Sequence, residues 1–298
     1  MVAGRAPAKR CSVTWNEVCR SGGGASILGA MTSPTPDPRQ AAADRLRAAA
    51  EWRTPCPPVR DLIAADDVES AYAVASINVG RRIEAGARRV GRKIGLTSLA
   101  VQKQLGVGTP DFGSLLDDMV VAPGGAVPAG ALLQPKVEAE VAFVLSADLD
   151  GPLEDVAEVR AAIGGAMAAI EIVDSRVADW DISYADTVAD NASCGLFVVS
   201  DAVVPLSEVE PVEVRMAMTV NGTKVSEGDG AACLGDPLLA LLWLARTLRD
   251  LGDPLRAGEV VLSGALGPMS VVRPGDVVEA DITGLGTITV SFSEEEAA

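Results

Sequence analysis

The 298-residue sequence contains no histidine, and only 3% of its residues are aromatic. Without histidine, the chain cannot form a Ser-His-Asp triad, a Cys-His dyad or a histidine-ligated zinc or iron site. It also lacks the imidazole base that serves most enzymes near neutral pH. Acid–base chemistry must therefore come from Asp, Glu, Lys, Tyr, Cys or bound water.

Cysteine and basic charge are also scarce. The five scattered cysteines form no CxxC pair, which predicts neither a disulfide scaffold nor a cysteine-rich zinc site and favours a reducing, cytoplasmic location. Because 41 acidic residues face 25 basic ones, we expect no binding to nucleic acid or to anionic membranes. The longest apolar run, residues 238–245, is too short to span a bilayer and predicts a buried helix.

The chain divides into three parts by pattern. Residues 1–30 are basic and rich in glycine, so we predict a disordered or over-extended leader, with Met31 as the natural first residue. Residues 31–88 show helical patterns over 38–52 and 67–85, which predict a helical layer. Residues 89–298 are predicted to form the main domain.

Strand patterns dominate this main domain. A helix is predicted only over 236–251, and Asn221-Gly222 marks a hairpin turn. The predicted strands are 89–96, 132–145, 167–173, 196–199, 212–220, 223–226, 260–262, 277–282 and 287–292. Because helices and strands do not alternate as βαβ units, the pattern predicts an α+β fold with a mainly β core and an N-terminal helical layer.

Three carboxylates suggest a metal site. Glu138 and Glu140 lie two apart in a strand pattern and so share one face, while Glu171 lies in a strongly apolar strand. A divalent cation such as Mg²⁺, Mn²⁺ or Ca²⁺ would relieve their repulsion. The alternatives are a solvated acidic face for the first two and an ion pair with Arg176 for Glu171. Asp174 could instead pair with Arg176 and orient the site.

Lys93 is a candidate for proton transfer. It shares a strand face with Gly91, Gly95 and Thr97, and the glycines would leave space beside the ammonium for a ligand. A desolvated lysine can move protons, although neighbouring carboxylates raise its pKa again. The alternative is an ordinary lysine on a surface strand.

With these pieces together, the sequence resembles the 2-keto-4-pentenoate hydratases of the fumarylacetoacetate hydrolase superfamily. The matching stretches are GRKIGLTS at 91–98, QLGVGTPDFGSLLDDM at 104–119, QPKVEAEVAFVL at 134–145, AIEIVDSRVADW at 169–180, ADNASCGLFV at 189–198 and SGALGPMSVVRPGDVVEADITGLGTITVSF at 263–292. The resemblance covers most of residues 33–293 and implies a β-roll core within a catalytic domain over 89–298. It also implies a ring-forming homo-oligomer, pentameric or decameric.

The same resemblance implies an activity. Glu138, Glu140 and Glu171 would hold Mg²⁺ or Mn²⁺, and the enzyme would hydrate 2-hydroxypenta-2,4-dienoate or a homologue to 4-hydroxy-2-oxopentanoate in meta-cleavage degradation of aromatic compounds or sterol rings. Lys93 would transfer a proton at the enol, and Asp111 would orient or deprotonate water. The implied substrate-binding positions are Gln134, Asn191, Ser193, Gly264 and Ala265, the last two through their backbone N–H groups.

Two other activities in the superfamily are less compatible with the sequence. The hydrolases use a histidine-containing dyad, which this chain cannot form. The 4-oxalocrotonate decarboxylases share the metal site, but they usually lack an acid at the position of Asp111 and tend to have histidine at that of Gln134. The segment Gly267-Pro268-Met269 departs from many hydratases, which leaves the preferred length of the substrate open.

A non-enzymatic alternative is a catalytically silent subunit that associates with a pathway decarboxylase or aldolase. The acidic surface could mediate such docking. The three carboxylates and the glycine-flanked lysine argue against it, because a silent subunit has no need for a costly inward cluster.

Overall fold

The computed structural model describes residues 37–98, 102 and 107–294. The predicted leader over 1–30 lies outside them. Two helices come first, as the sequence predicts: α1 spans Pro38–Trp52 and α2 spans Val68–Glu84. Their starts follow from local capping, since the Asp37 carboxylate accepts the Arg39 N–H and the Asp67 carboxylate accepts the Ser70 N–H. The N-terminal helical layer is therefore confirmed.

Twelve strands and three further α-helices with described bounds follow, together with short 3-10 turns. The strands are β1 Arg89–Gly95, β2 Asp111–Leu116, β3 Ala126–Val127, β4 Lys136–Leu145, β5 Ile163–Val173, β6 Cys194–Val199, β7 Arg215–Val220, β8 Thr223–Asp229, β9 Val260–Ala265, β10 Ser270–Val271, β11 Val277–Ile282 and β12 Gly286–Phe292. The helices are α3 Val156–Ala162, α4 Tyr184–Ala189 and α5 Pro237–Asp250. The α+β fold with a mainly β core is confirmed.

The strands form two sheets. The larger sheet has the order β2-β1-β9-β4-β5-β6, with β10 also paired to β4, and the smaller has the order β3-β12-β11-β7-β8. The larger sheet is mixed, because β1 runs parallel to β9 whereas β4 pairs antiparallel with both β5 and β9. In the smaller sheet, β7 and β8 meet at Asn221 and Gly222, whose positive φ angles of 52° and 74° confirm the predicted tight hairpin.

Period two divides the larger sheet into an apolar face and a face that carries the charged groups. Val137, Ala139, Val141 and Phe143 of β4 are fully buried in the main core, which also includes residues of the smaller sheet and of α5. The opposite face carries Glu138 and Glu140 and, farther along the strand, Ala142 in a second apolar cluster. The acidic groups thus lie inside the fold rather than on a solvated surface.

Helix α5 explains the apolar run near residue 240. The helical stretch Gly230–Asp250 is long and apolar enough to be a candidate membrane span, but half of its hydrophobic window is buried inside the molecule. Leu238, Leu241 and Leu244 are almost inaccessible in the main core. This is the packing of a core helix, as the sequence predicts.

Some local predictions were wrong. The strand expected from 132 begins at Lys136, because the Asp174 carboxylate accepts the N–H groups of Leu133 and Gln134. Strand β5 begins at Ile163 rather than 167, and the stretch expected from 212 opens with a short helical turn before β7. Helices α3 and α4 were not predicted. Helix α4 matters most, because its residues pack in one cluster with α1 and α2 and so complete the helical layer.

Candidate active site

Three glutamates meet on the inner face of the larger sheet. Glu138 and Glu140 come from β4 and Glu171 from β5, and one carboxylate oxygen from each lies within 4.8 Å of the others. Glu138 and Glu171 are direct cross-strand neighbours, a position in which like charges are destabilising. Glu140 and Glu171 are fully buried, and Glu138 is partly buried. The structure therefore brings together all three residues that the sequence singled out.

The cluster has too few hydrogen-bond donors for its oxygens. Within the described residues, Glu140 Oε1 and both oxygens of Glu171 have no hydrogen-bond partner. Burial, with the charge of Glu171, raises the pKa of Glu138 to about 7 and raises that of Glu140 well above its usual value. Buried acceptors that share negative charge and lack donors are the ligand set of a hard divalent cation, so the residues fit such an ion.

Lys93 and Asp111 complete the cluster. Lys93 Nζ lies 3.2 Å from Glu171 Oε1. Burial alone would lower the pKa of Lys93, but the charges of Glu171 and Asp111 outweigh it and raise that pKa above its usual value. Burial raises the pKa of Asp111, while Lys93 opposes the shift. Asp111 Oδ1, like the glutamate oxygens above, has no hydrogen-bond partner among the described residues. An ammonium and an open carboxyl group thus lie beside the three glutamates.

The glycines beside Lys93 allow close packing within the protein instead of leaving space for a ligand. A Cβ at Gly91 would collide with the Val260 backbone of β9, so this glycine allows close strand pairing. A Cβ at Gly95 would collide with the Asp111 carboxylate and lie 3.3 Å from Lys93 Nζ. Gly95 therefore makes room for the chain's own acid and ammonium, and the prediction of open space for a ligand was wrong at both positions.

The Gly264 N–H, which the resemblance assigns to the substrate carboxylate, is used within the protein. It donates to Glu140 Oε2 at 2.7 Å, so the group holds a carboxylate of the protein. Gly264 has a φ of +113°, and a Cβ there would collide with Thr97. Ala265 pairs with Glu140 across the β4–β9 ladder, where the register shifts. Both residues thus shape the position of Glu140, and their predicted roles toward substrate stay predictions.

The side chains of the other predicted substrate ligands are used within the protein. The Gln134 amide donates to the carbonyls of Ser175 and Val177 and accepts the Asp179 N–H. The Ser193 hydroxyl lies 3.1 Å from that of Thr187. The Asn191 amide makes two hydrogen bonds to the Ser114 backbone. These three side chains hold loops and strands in place, and their predicted roles toward substrate stay predictions.

Arg176 pairs with neither of the acids that the sequence suggested. Its Nε lies 2.5 Å from Asp190 Oδ1, and its backbone N–H also bonds to that carboxylate. The competing interpretation of Glu171 as the partner of Arg176 was therefore wrong, and so was the expected Asp174–Arg176 pair. The salt-bridge partner of Glu171 is Lys93.

Sequence analysis missed two residues beside Asp111. The Tyr184 hydroxyl donates to the Pro110 carbonyl at 2.8 Å, and the Tyr72 hydroxyl accepts the Phe112 N–H at 3.3 Å. These contacts span 74 and 40 residues of sequence. No local pattern indicates them, because they depend on how the helical layer packs on β2.

A β-roll core encloses three acidic side chains that fit a divalent cation, with one ammonium and one further carboxyl group beside them. Residues 79–293 match the family model described as fumarylacetoacetate (FAA) hydrolase C-terminal. The chain belongs to the fumarylacetoacetate hydrolase family. Within that family it is a hydratase, a hydro-lyase that requires a divalent cation, as the following relatives indicate.

The chain is 50% identical over 262 residues to a 2-keto-4-pentenoate hydratase of Paraburkholderia xenovorans, covering 88% of this chain and 97% of the relative. It is 43% identical over 229 residues to a 2-hydroxyhexa-2,4-dienoate hydratase of Comamonas testosteroni, covering 76% and 87%. Among solved structures, the 4-oxalocrotonate decarboxylase from Pseudomonas putida G7, complexed with magnesium and adipate, superimposes with a TM-score of 0.82. That match has 34% identity and covers 87% of this chain and 99% of the decarboxylase.

Proposed function

We propose that this hydratase converts 2-hydroxypenta-2,4-dienoate, or a close homologue, into 4-hydroxy-2-oxopentanoate or the corresponding longer product. The observation that carries the proposal is the buried cluster of three glutamates with open oxygens beside Lys93 and Asp111. The hydratase relatives act on substrates of this class by name. The reaction belongs in the meta-cleavage degradation of aromatic or sterol rings.

Glu138, Glu140 and Glu171 are the proposed ligands of the divalent cation, which we assign as Mg²⁺ or Mn²⁺. Oxygen ligands alone favour these hard ions over softer metals. When bound, the cation supplies positive charge that stabilises the carboxylate and enolate oxygens of the substrate. The Gly264 N–H, donated to Glu140 Oε2, fixes one oxygen of that glutamate and leaves Oε1 free for ligation.

Lys93 and Asp111 divide the proton transfers. The dienol first loses its enol proton from the 2-oxygen and gains a proton at C5, which gives an α,β-unsaturated ketone. Lys93, which its neighbours keep an ammonium, gives its proton to C5 and takes the enol proton from the 2-oxygen in exchange, so it is again an ammonium after this step. Water then adds, with hydroxide bonding to C4 and a proton to C3. Asp111 orients this water and takes its proton, since its Oδ1 is open to a donor.

The decarboxylase activity is the second candidate, because a decarboxylase shares this fold at a TM-score of 0.82. Sequence similarity favours the hydratase, since identity reaches 50% with the named hydratases but 34% with that decarboxylase. The two reactions are distinguishable by product. A decarboxylase releases CO₂ from a dicarboxylic acid, whereas a hydratase consumes the dienol without releasing gas.

We also propose that the chain works as a cytoplasmic homo-oligomer, a pentamer or decamer. The cytoplasmic assignment is supported by Cys56, Cys194 and Cys233, which are buried free thiols. Association with a pathway decarboxylase or aldolase is a further proposal, supported by the strongly acidic composition. Light scattering of the purified protein, alone and mixed with such an enzyme, would give both stoichiometries.

The decisive experiment is the ultraviolet decay of freshly prepared 2-hydroxypenta-2,4-dienoate. We expect rapid loss of the dienol absorbance with Mg²⁺ or Mn²⁺, no enzymatic loss with a chelator, and 4-hydroxy-2-oxopentanoate as the product. The matched control is Glu171→Gln, which keeps the shape of the side chain but removes its charge. Metal-independent decay, or equal rates for this variant, would contradict the proposal. A metal-free oligomer that binds only a partner enzyme would favour the silent subunit.

A further inference from the structure

Strand β2 carries Asp111 but has a neighbouring strand on one side only. Among the described strands it pairs with β1 alone, where Asp111 lies opposite Gly95. Asp111 is also the first residue of β2 and follows Pro110, which has no N–H to donate. Backbone groups on the free edge of such a strand have no ladder partners. The position of the Asp111 carboxylate therefore depends on what holds this edge.

Two tyrosine hydroxyls hold the peptide groups on either side of Asp111. Tyr184 donates to the Pro110 carbonyl at 2.8 Å, and Tyr72 accepts the Phe112 N–H at 3.3 Å. The Tyr72 ring also stacks on Phe112, with ring centroids 4.4 Å apart and an interplanar angle of 17°. They are the only tyrosines in the sequence. Both phenols thus contact the short segment that carries the acid.

Asn191 continues the same pattern two residues farther along β2. Its Oδ1 accepts the Ser114 N–H at 2.8 Å, and its Nδ2 donates to the Ser114 carbonyl at 2.9 Å. The four backbone groups bound in this way belong to residues 110, 112 and 114. Alternate residues point their backbone groups to the same edge of a strand, so the three side chains occupy the place of a missing neighbouring strand.

All three side chains come from the helical layer. Tyr72 lies in α2, Tyr184 is the first residue of α4, and Asn191 follows the end of α4. The buried cluster that joins α1, α2 and α4 includes Ala71, Val74 and Val188, and both tyrosines pack against it. A packed layer of this kind presents its hydroxyl and amide groups at fixed positions.

We propose that Tyr72, Tyr184 and Asn191 are positioning residues that replace a neighbouring strand along β2 and so hold the Asp111 carboxylate at the reacting atoms. The inference rests on the proposed role of Asp111 in hydration. It assigns a function to the helical layer, which contributes no residue to the acidic cluster itself.

The test uses Tyr72→Phe and Tyr184→Phe, which remove the hydroxyl groups and keep the rings. We expect each variant to lower kcat by about 10- to 100-fold, because small misplacements of a reacting group have effects of this size. We expect KM and the affinity for Mn²⁺ to change less than about twofold. Ser70→Ala is the matched control, since it removes a hydrogen-bonded hydroxyl from the same helix without touching β2. Its kcat should equal that of the wild type.

The Asp111→Asn background separates positioning from general stability. If the tyrosines act through Asp111, Tyr184→Phe should change the residual kcat of this variant less than about twofold, because coupled residues are not additive. An equal fold-loss in both backgrounds would overturn the proposal. So would unchanged kcat for both tyrosine variants.

Amide hydrogen exchange gives a readout that does not need turnover. Tyr72→Phe should speed exchange of the Phe112 amide at least tenfold and leave Ser114 unchanged, whereas Asn191→Gly should do the reverse. Glycine keeps the left-handed conformation of residue 191, where φ is +55°. If the wild type fails to hydrate the dienoate, the proposed function fails, and the exchange experiment still decides on the edge contacts. Unchanged amide exchange in both variants would overturn the proposed contacts along the edge of β2.

Discussion

Strand β1 carries buried charges on both faces, and the two faces balance them differently. On one face, Lys93 lies among Asp111 and three glutamates, which outnumber it in charge. On the other, Arg92 is 1% exposed and lies 2.7 Å from Asp253 and 3.4 Å from Glu259. Two adjacent residues of one strand thus belong to different clusters. Lys93 lies in an acidic cluster whose oxygens lack donors, and Arg92 lies in a cluster with equal numbers of positive and negative charges.

We call the second group the arginine network, defined as Arg89, Arg92, Asp253 and Glu259. Arg89 makes two hydrogen bonds to Asp253, and Glu259 also accepts the Arg256 N–H. Partial burial of Asp253 acts to raise its pKa, but the two arginines hold that pKa below its usual value. The positive and negative side chains of the network pair with one another. The network therefore stabilises the fold and needs no ligand.

The two clusters differ in the features that distinguish a binding site from a structural network. Burial alone does not distinguish them, because Arg92 and Lys93 are both almost inaccessible to solvent. The difference lies in the surplus of one charge and in acceptor atoms without donors, which are costly unless a ligand completes them. The acidic cluster has both features and the arginine network has neither among the described atoms. Substitutions in the two groups should therefore affect activity and stability in opposite ways.

The largest effect should come from Glu171→Gln. We expect activity to fall by about a thousandfold or more, because a cation ligand and several kcal/mol of transition-state stabilisation are lost. The metal-free variant should unfold at the same or a higher urea concentration than the wild type, since one of the repelling charges is gone. Steady-state kinetics, Mn²⁺ titration and urea unfolding with a chelator measure these three quantities.

Asp253→Asn is the matched change in the arginine network. It should retain most activity and lower stability by on the order of 1 kcal/mol, because Asp253 is about half exposed. If both variants lose stability equally and bind Mn²⁺ equally, the distinction between the two groups is wrong.

Arg92→Met should have the next largest effect. It should lower the stability of the fold and leave catalysis largely unchanged. Removing this cation leaves Glu259 with weaker compensation in a buried place, and breaking such a pair costs about 3–5 kcal/mol. We expect a matching decrease in the free energy of unfolding by urea. The double variant Arg92→Met/Glu259→Gln should recover part of it. A stable Arg92→Met protein would show that the network is dispensable.

Lys93→Met tests the ammonium that lies beside the three glutamates. Turnover should fall by about a hundredfold, since a positioned proton donor contributes at least this much. Mn²⁺ affinity should stay equal or increase, because the variant removes a positive charge beside the cation site. Lys93→Arg is the control, because it keeps the positive charge but places it on a side chain of different length and shape. Loss of Mn²⁺ binding in Lys93→Met would place Lys93 in metal binding instead of proton transfer.

The sequence predicted the acidic cluster better than its surroundings. Period two in one strand places Glu138 and Glu140 together, and an acid in an apolar strand marks Glu171, so local pattern suffices. The partners of Gln134 and Asn191 lie about 40 and 77 residues away. Such contacts depend on strand order and on the packing of α4, which period and composition do not encode. Resemblance could suggest these residues near the site but not which groups their amides bind.

The smallest predicted effect is a difference in pH dependence between the two groups. In the metal-free protein the pKa of Glu138 is raised to about 7. Its contribution to stability is therefore present below its unfolded pKa and is lost as pH rises through 7. Asp253 has a lowered pKa, so its contribution is present at neutral pH and is lost as pH falls through that lowered value.

Urea unfolding in chelator should therefore show a decrease on the order of 1–2 kcal/mol between pH 5 and 8, given the partial exposure of Glu138. Glu138→Gln should reduce this decrease, and Asp253→Asn should leave it unchanged. A remainder of the same sign persists in Glu138→Gln for two reasons. The pKa of Glu140 is raised well above its usual value, and burial raises the pKa of Asp190 to about 6 against the opposing charge of Arg176. Saturating Mg²⁺ should cancel the part due to Glu138, because the cation binds the ionised carboxylates. A decrease as large in Glu138→Gln as in the wild type, and unchanged by Mg²⁺, would place the unbalanced charge outside the acidic cluster and remove the physical reason for assigning the cation there.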